Sequence, residues 1–120
     1  MAKPLPASVG QAVTLLQTCL ADLGEVRARG MFGGYGIYLE DRIIALWDEG
    51  ALYLKVDALT TPRFEAEGLP PFSYLKESGR VTVMSYRRVS DTWQTPEAME
   101  PWARLAVEAA KRSAKPNKKR

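Results

Sequence analysis

Val9, Ala12, Val13, Leu16, Cys19, Leu20 and Leu23 recur at spacings of three and four, so one apolar stripe runs along a helix. The spacing predicts a helix from about Ser8 to Leu23, with Ser8 as its N-cap and Gly24 as the residue that stops it. The pattern then shortens. Glu25 to Phe32, Gly34 to Leu39, Arg42 to Trp47 and Ala51 to Val56 read as four strands. Glu40-Asp41 and Asp48-Glu49-Gly50 are polar links between them, with Gly50 suited to a positive φ. Links this short cannot make a parallel crossover, so the four strands form an antiparallel meander. The third strand, Ile43-Ile44-Ala45-Leu46-Trp47, lacks polar alternation, and both of its faces are expected to meet apolar groups.

A short helix is predicted near Thr61, with Thr61 as cap, Pro62 at the first helical position and Gly68 at its end. Leu69-Pro70-Pro71 is a rigid link. Phe72 to Leu75 and Val81 to Val89 read as two further strands joined through Glu77-Ser78-Gly79. Thr95-Pro96-Glu97 opens a last helix, with an acid placed against the positive end of the helix dipole. Met99, Trp102, Leu105, Ala106 and Ala109 are its expected buried stripe. The fold class is therefore α+β: an antiparallel sheet of five to six strands with an N-terminal, a short middle and a C-terminal helix packed on it.

Composition changes this picture little. The 120 residues are 46% hydrophobic and 26% charged, which suits one globular domain. Charge is more informative. The net +3 comes from 17 basic and 14 acidic residues, but residues 111–120 hold Lys111, Arg112, Lys115, Lys118, Lys119 and Arg120 and no acid. Without them 11 basic residues face 14 acids, so a mildly acidic body, residues 1–110, precedes a basic tail, 111–120, expected to be disordered. No apolar run is long enough for a membrane span, and nothing in Met1-Ala2-Lys3-Pro4-Leu5-Pro6 reads as a signal peptide. With a single cysteine, Cys19, the expected location is a reducing cytoplasm.

Candidate chemistry is sparse. There is no histidine, which removes Ser-His and Cys-His pairs and histidine-bound zinc. Cys19 lies on the core stripe and is expected to be a small buried hydrophobe. Met31-Phe32-Gly33-Gly34-Tyr35-Gly36 looks like a phosphate loop, but a strand follows it and the third glycine of a dinucleotide fingerprint would fall at Leu39. Gly33, Gly34 and Gly36 are better read as a structural turn that lets two backbone segments approach closely. Ser73-Tyr74-Leu75-Lys76 has the Ser-x-x-Lys spacing of penicillin-interacting enzymes, but follows two prolines in a strand and lacks the Lys-Thr-Gly partner. The acids of Glu40-Asp41 and Asp48-Glu49 read as solvated turn residues. Tyr86-Arg87-Arg88 with Trp93 either holds phosphates and bases or is a strand end with snorkelling arginines. No catalytic residue, metal site or cofactor is expected.

Arg29-Gly30-Met31-Phe32-Gly33-Gly34-Tyr35-Gly36-Ile37-Tyr38 resembles the signature of the TfoX (Sxy) N-terminal domain family. Leu52-Tyr53-Leu54-Lys55-Val56-Asp57, Pro62-Arg63-Phe64-Glu65-Ala66-Glu67-Gly68, Pro71-Phe72, Met84-Ser85-Tyr86 and Pro101-Trp102-Ala103-Arg104-Leu105-Ala106 follow in the family's order. The resemblance covers about residues 12–110. It implies a compact α+β domain and a link to bacterial competence regulation, where longer members act as transcriptional co-regulators beside the cyclic-AMP receptor protein. Those longer members carry a second, C-terminal domain. The family supplies no catalytic residues.

The expected function is a non-catalytic regulatory or protein-interaction domain, with Tyr38, Trp47 and Tyr53 as its interaction surface. A protein partner, or a second copy in a homodimer, would cover them; no membrane is implied. The alternatives are weak, non-specific nucleic-acid binding through Arg87, Arg88, Lys111, Arg112, Lys115, Lys118, Lys119 and Arg120, and a small-molecule pocket lined by Tyr35, Tyr53 and Arg63.

Overall fold

A computed structural model describes residues 7–31, 34–75, 79 and 81–113. In chain order the elements are α1 (Ala7–Cys19), β1 (Val26–Met31), β2 (Gly34–Leu39), β3 (Arg42–Asp48), β4 (Ala51–Lys55), α2 (Thr61–Ala66), β5 (Pro71–Leu75), β6 (Val81–Arg88) and α3 (Pro96–Ser113). The strands make one antiparallel sheet in the order β1-β2-β3-β4-β6-β5. The α+β expectation holds, and the meander accounts for the first four strands. The last hairpin enters in reverse, so that β6 rather than β5 pairs with β4.

Register separates the two faces. Ala28, Ile37, Ala45, Leu54 and Arg87 form one row across five strands, and Ile37, Ala45 and Leu54 have no exposed surface. This face lies under the helices: α3 crosses β3 and β4, and α1 packs on α3 and β1. Val9, Val13, Leu16 and Leu20 of the α1 segment meet Met99, Ala103, Ala106, Val107 and Ala110 of α3 in the same core. The adjacent row, Arg29, Gly36, Leu46, Tyr53 and Arg88, points away from the helices.

The unbroken apolar run of β3 has a specific cause. Ile37 pairs with Ala45 but Tyr38 pairs with Ile43, so Ile44 is an extra residue in a bulge. The bulge puts Ile44 and Ala45, both fully buried, into the same core. The β3–β4 turn uses Glu49 at φ 49° and Gly50 at φ 85°, the pair of left-handed residues that a tight hairpin needs.

The first helix ends earlier than its stripe implies. It closes at Cys19, turns through Leu20 to Leu23, and leaves Leu23 38% exposed. Cys19 is buried, donates its Sγ–H to the Pro96 carbonyl at 3.5 Å, and has its pKa raised by burial. The cap of α2 is Thr60, not Thr61. Asp57 organises this start: its Oδ1 accepts the N–H groups of Leu59 and Thr60 at 3.1 Å each, and its own N–H donates to the Thr60 hydroxyl. Thr95 caps α3 by accepting the Ala98 N–H at 3.2 Å.

The last helix also runs past residue 110, to Ser113. Its Arg112 reaches back 55 residues and pairs with both carboxylate oxygens of Asp57, at 2.5 and 3.1 Å. Hydrogen bonding to Arg112 is the main reason that the Asp57 pKa falls from about 3.8 to about 2. A depressed folded-state pKa stabilises the fold above the unfolded value and ceases to do so as pH falls through the folded value. Asp57→Asn keeps an acceptor for Thr60 but loses the charge. It is expected to lower stability by about 1 kcal/mol at neutral pH, after allowance for solvent screening. The gap should close between about pH 4 and pH 2, as followed by thermal melting across that range.

Candidate interaction face

The face turned away from the helices is built from alternate residues of five strands. Arg27 and Arg29 come from β1, Tyr38 from β2, Ile43 and Leu46 from β3, Tyr53 and Lys55 from β4, and Tyr86 and Arg88 from β6. On β2 this side reads Gly34, Gly36, Tyr38, so two positions carry no side chain and the surface is hollow there. Gly34 also has a packing reason: a Cβ at this position would overlap the Trp47 carbonyl oxygen and approach the Asp48 carboxylate to 3.1 Å. Its φ is not positive, so close approach, not backbone conformation, demands glycine here.

Among the described residues no helix covers this face, yet Leu46 and Tyr86 are only 8% and 5% exposed. The sheet curls on itself. Phe72 and Met84 of the last hairpin and Tyr86 come round to face Ile43 and Leu46, enclosing a groove of about 510 Å³. The groove runs along β3 towards Gly34, Asp48 and Glu49. The Tyr53 ring packs edge-on against Phe72 with centroids 4.9 Å apart. The Arg29 guanidinium lies 5.4 Å from the centre of the Tyr38 ring, and the Lys55 ammonium 5.0 Å from that of Tyr86. Burial, and secondarily the nearby Tyr38, pushes the Tyr86 pKa up to about 12. Burial pushes the Lys55 pKa down, against the opposing pull of Asp57.

The structure divides the residues singled out from sequence. Tyr38 and Tyr53 share the helix-free face. Neither lines the groove, whereas Trp47 does: it pairs with Tyr35 and Leu52, packs against the core, meets the Tyr35 ring edge-on at 6.1 Å, and borders the acidic end of the groove. Ile43, Leu46, Phe72 and Met84 were not singled out: Ile43 and Leu46 share a side only because of the bulge at Ile44, and Phe72 and Met84 reach it only through the pairing of β6 with β4. Tyr35, Tyr53 and Arg63 do not gather into one pocket: Tyr35 packs against the core and borders the groove's acidic end, Tyr53 lies outside the groove lining, and Arg63 is exposed on α2.

The basic candidates also separate. Arg87 points to the helix side, donating to the Leu69 carbonyl and the Glu65 carboxylate at 2.9 Å each. Arg112 is held by Asp57, while Arg88 and Lys111 are exposed. Lys115, Lys118, Lys119, Arg120 and Gly33 lie outside the described residues, as does Lys76 of the Ser-x-x-Lys spacing. Trp93 is not part of a basic surface. It stacks on Trp102 at 4.2 Å, with Phe64 edge-on to both. A second hollow of about 400 Å³, lined by Gln11, Trp47, Arg88, Trp93 and Gln94 among others, lies between α1 and the β3–β4 turn. Among the described residues no three His, Cys, Asp or Glu side chains gather as metal ligands, and no helix is long and apolar enough to cross a membrane.

The chain is 26% identical over 95 residues to Protein Sxy of Escherichia coli (strain K12), across 78% of this chain and 45% of that protein. It is 33% identical over 76 residues to DNA transformation protein TfoX1 of Aliivibrio fischeri (strain ATCC 700601 / ES114), across 63% of this chain and 36% of that protein. The chain thus spans less than half the length of these relatives. The TfoX N-terminal domain matches residues 18–110, from the end of α1 through nearly all of α3, and the chain belongs to that family.

Proposed function

We propose that the chain is a non-catalytic regulatory module that acts by binding another protein through the helix-free face of its sheet, in the manner of a transcriptional co-regulator. The observation that carries this reading is the groove itself. It is a mainly apolar concavity outside the helix-packed core, with Asp48 and Glu49 at one end, and Arg29, Lys55 and Arg88 stand on the same face of the sheet outside its lining. Interfaces concentrate their energy in aromatic and aliphatic anchors with a polar rim, and this face has both. Kinship with proteins named Sxy and DNA transformation protein TfoX1 supports a role in competence.

Ile43 is half-buried at the groove wall, opposite Tyr38. Replacing the chromosomal copy by an Ile43→Asp variant should reproduce the transcript changes of a gene deletion while the protein still melts cooperatively. If the deletion changes no transcripts, the regulatory role is wrong. If the deletion does and folded Ile43→Asp does not, the face is wrong.

A further inference from the structure

We infer that the groove receives an acidic segment of another protein, with an apolar side chain seated among Ile43, Leu46, Phe72 and Met84 and carboxylates on the flanking cations. The inference rests on the reading of this face as the regulatory surface and specifies its partner's chemistry.

Charge is the first argument. Arg29 and Arg88 terminate the row that crosses the sheet through Gly36, Leu46 and Tyr53. Arg27 and Lys55 stand in the adjoining rows. No ion pair involves any of the four among the described residues, where Arg87, Arg104 and Arg112 each have a carboxylate. Asp48 is the only acid among the described strand residues of this face. It lies with Glu49 at one end of the groove, so repulsion there orients an acidic guest towards the cations. Glu40 and Asp41 of the β2–β3 turn border the hollow beside Arg27 and Arg29 without an ion pair to either, so these guanidinium groups keep their hydrogen-bonding edges for a guest.

The second argument is what the rings are already doing. Tyr38 has Arg29 over it, Tyr86 has Lys55, and Tyr53 is packed on Phe72. A single-stranded nucleic acid needs free ring faces on which bases stack. Here cations lie over two of those rings, Tyr38 and Tyr86, leaving guanidinium and ammonium edges as the polar contacts. Guanidinium edges match carboxylates in a planar, two-bond arrangement. Lys55 adds to this: burial disfavours its charge, and a docked carboxylate restores it.

A groove of about 510 Å³ accommodates a few apolar side chains. An extended or helical segment that presents one anchor with acids around it is the guest that fits.

The test is fluorescence anisotropy with the full chain and a labelled peptide of about ten residues, Glu and Asp throughout with Leu-Phe at its centre. Saturable binding at low salt is expected. It should weaken about tenfold or more in Arg29→Glu/Arg88→Glu, and also when Leu-Phe in the peptide becomes Ser-Ser. A peptide with Lys in place of every acid should not bind. Thermal melting checks that the double variant is folded, and Arg88→Gln serves as a milder second variant. Equal binding of the acidic and basic peptides, or no loss on charge reversal, would overturn the inference. So would a labelled single-stranded oligonucleotide that binds this face when the peptide does not. If the peptide fails while Ile43→Asp still reproduces the deletion, the acidic chemistry is wrong and the face stands. If Ile43→Asp is silent, the face itself is wrong.

Discussion

Phe64→Ala is expected to lower the stability of the fold by about 3 to 5 kcal/mol, the largest effect of any single truncation considered. Phe64 is fully buried. It is the point where three separate parts of the chain meet: α2, the loop after β6 that carries Trp93, and Trp102 of α3. Its ring stands edge-on to both tryptophans, 6.0 Å from Trp93 and 5.1 Å from Trp102, while the two indoles stack at 4.2 Å and 13°. Such pairs contribute beyond their buried area because each ring edge meets a ring face. Removing Phe64 leaves a cavity that the two stacked indoles cannot fill without breaking their own contact. The melting temperature should fall by at least about 10 °C, with Phe64→Leu intermediate. Leu59→Ala, at a side chain 70% exposed only five residues earlier, should stay within about 0.5 kcal/mol of the parent. A Phe64→Ala protein as stable as Leu59→Ala would contradict the role given to this cluster.

Gly34→Ala should be the next most damaging, by about 1 to 3 kcal/mol, although it adds one methyl group and demands no unusual dihedral. The methyl would overlap a backbone oxygen, that of Trp47, which cannot rotate away as a side chain could. Relief requires β2 and β3 to move apart at the end where Tyr35 pairs with Trp47 and the groove has its acidic rim. Gly30→Ala is the matched control. Gly30 lies on β1, pairs with Tyr35, has nothing within 4 Å of its absent Cβ, and takes no positive φ. It should be neutral or slightly stabilising, because alanine restricts the unfolded chain. Chemical denaturation of both variants separates the two cases; equal stability would remove the close-approach explanation.

The glycine run also marks how far sequence could be taken. Strand β2 was legible to the residue, because Gly34 to Leu39 is bounded by a glycine cluster and a polar turn. The β3–β4 hairpin was legible from Gly50, and the start of α3 from Thr95-Pro96. What was not legible depends on contacts distant in the chain. The bulge at Ile44 hides inside an apolar run, because alternation carries no sign of an extra residue. The pairing of β6 with β4 inserts α2 and β5 between neighbours, and no short-link argument reaches across them. Arg87 and Arg112 read as free cations in a one-dimensional string, yet each finds its carboxylate far away, Glu65 and Asp57 respectively. Trp93 sat beside arginines in sequence but belongs to the core. For the candidate site, Tyr38 and Tyr53, proposed from residue type, lie on the helix-free face outside the groove lining, whereas Ile43, Leu46, Phe72 and Met84 are ordinary core types that become a groove only because the sheet curls.

The central claim is that regulation runs through the helix-free face and not through the helices. Its most direct test compares transcript profiles of cells carrying Ile43→Asp, at the groove wall, with cells carrying Thr14→Glu, at an exposed position midway along α1. Ile43→Asp should match the gene deletion, and Thr14→Glu should match the unmodified protein. The reverse pattern, or two profiles that both match the unmodified protein, would contradict the account.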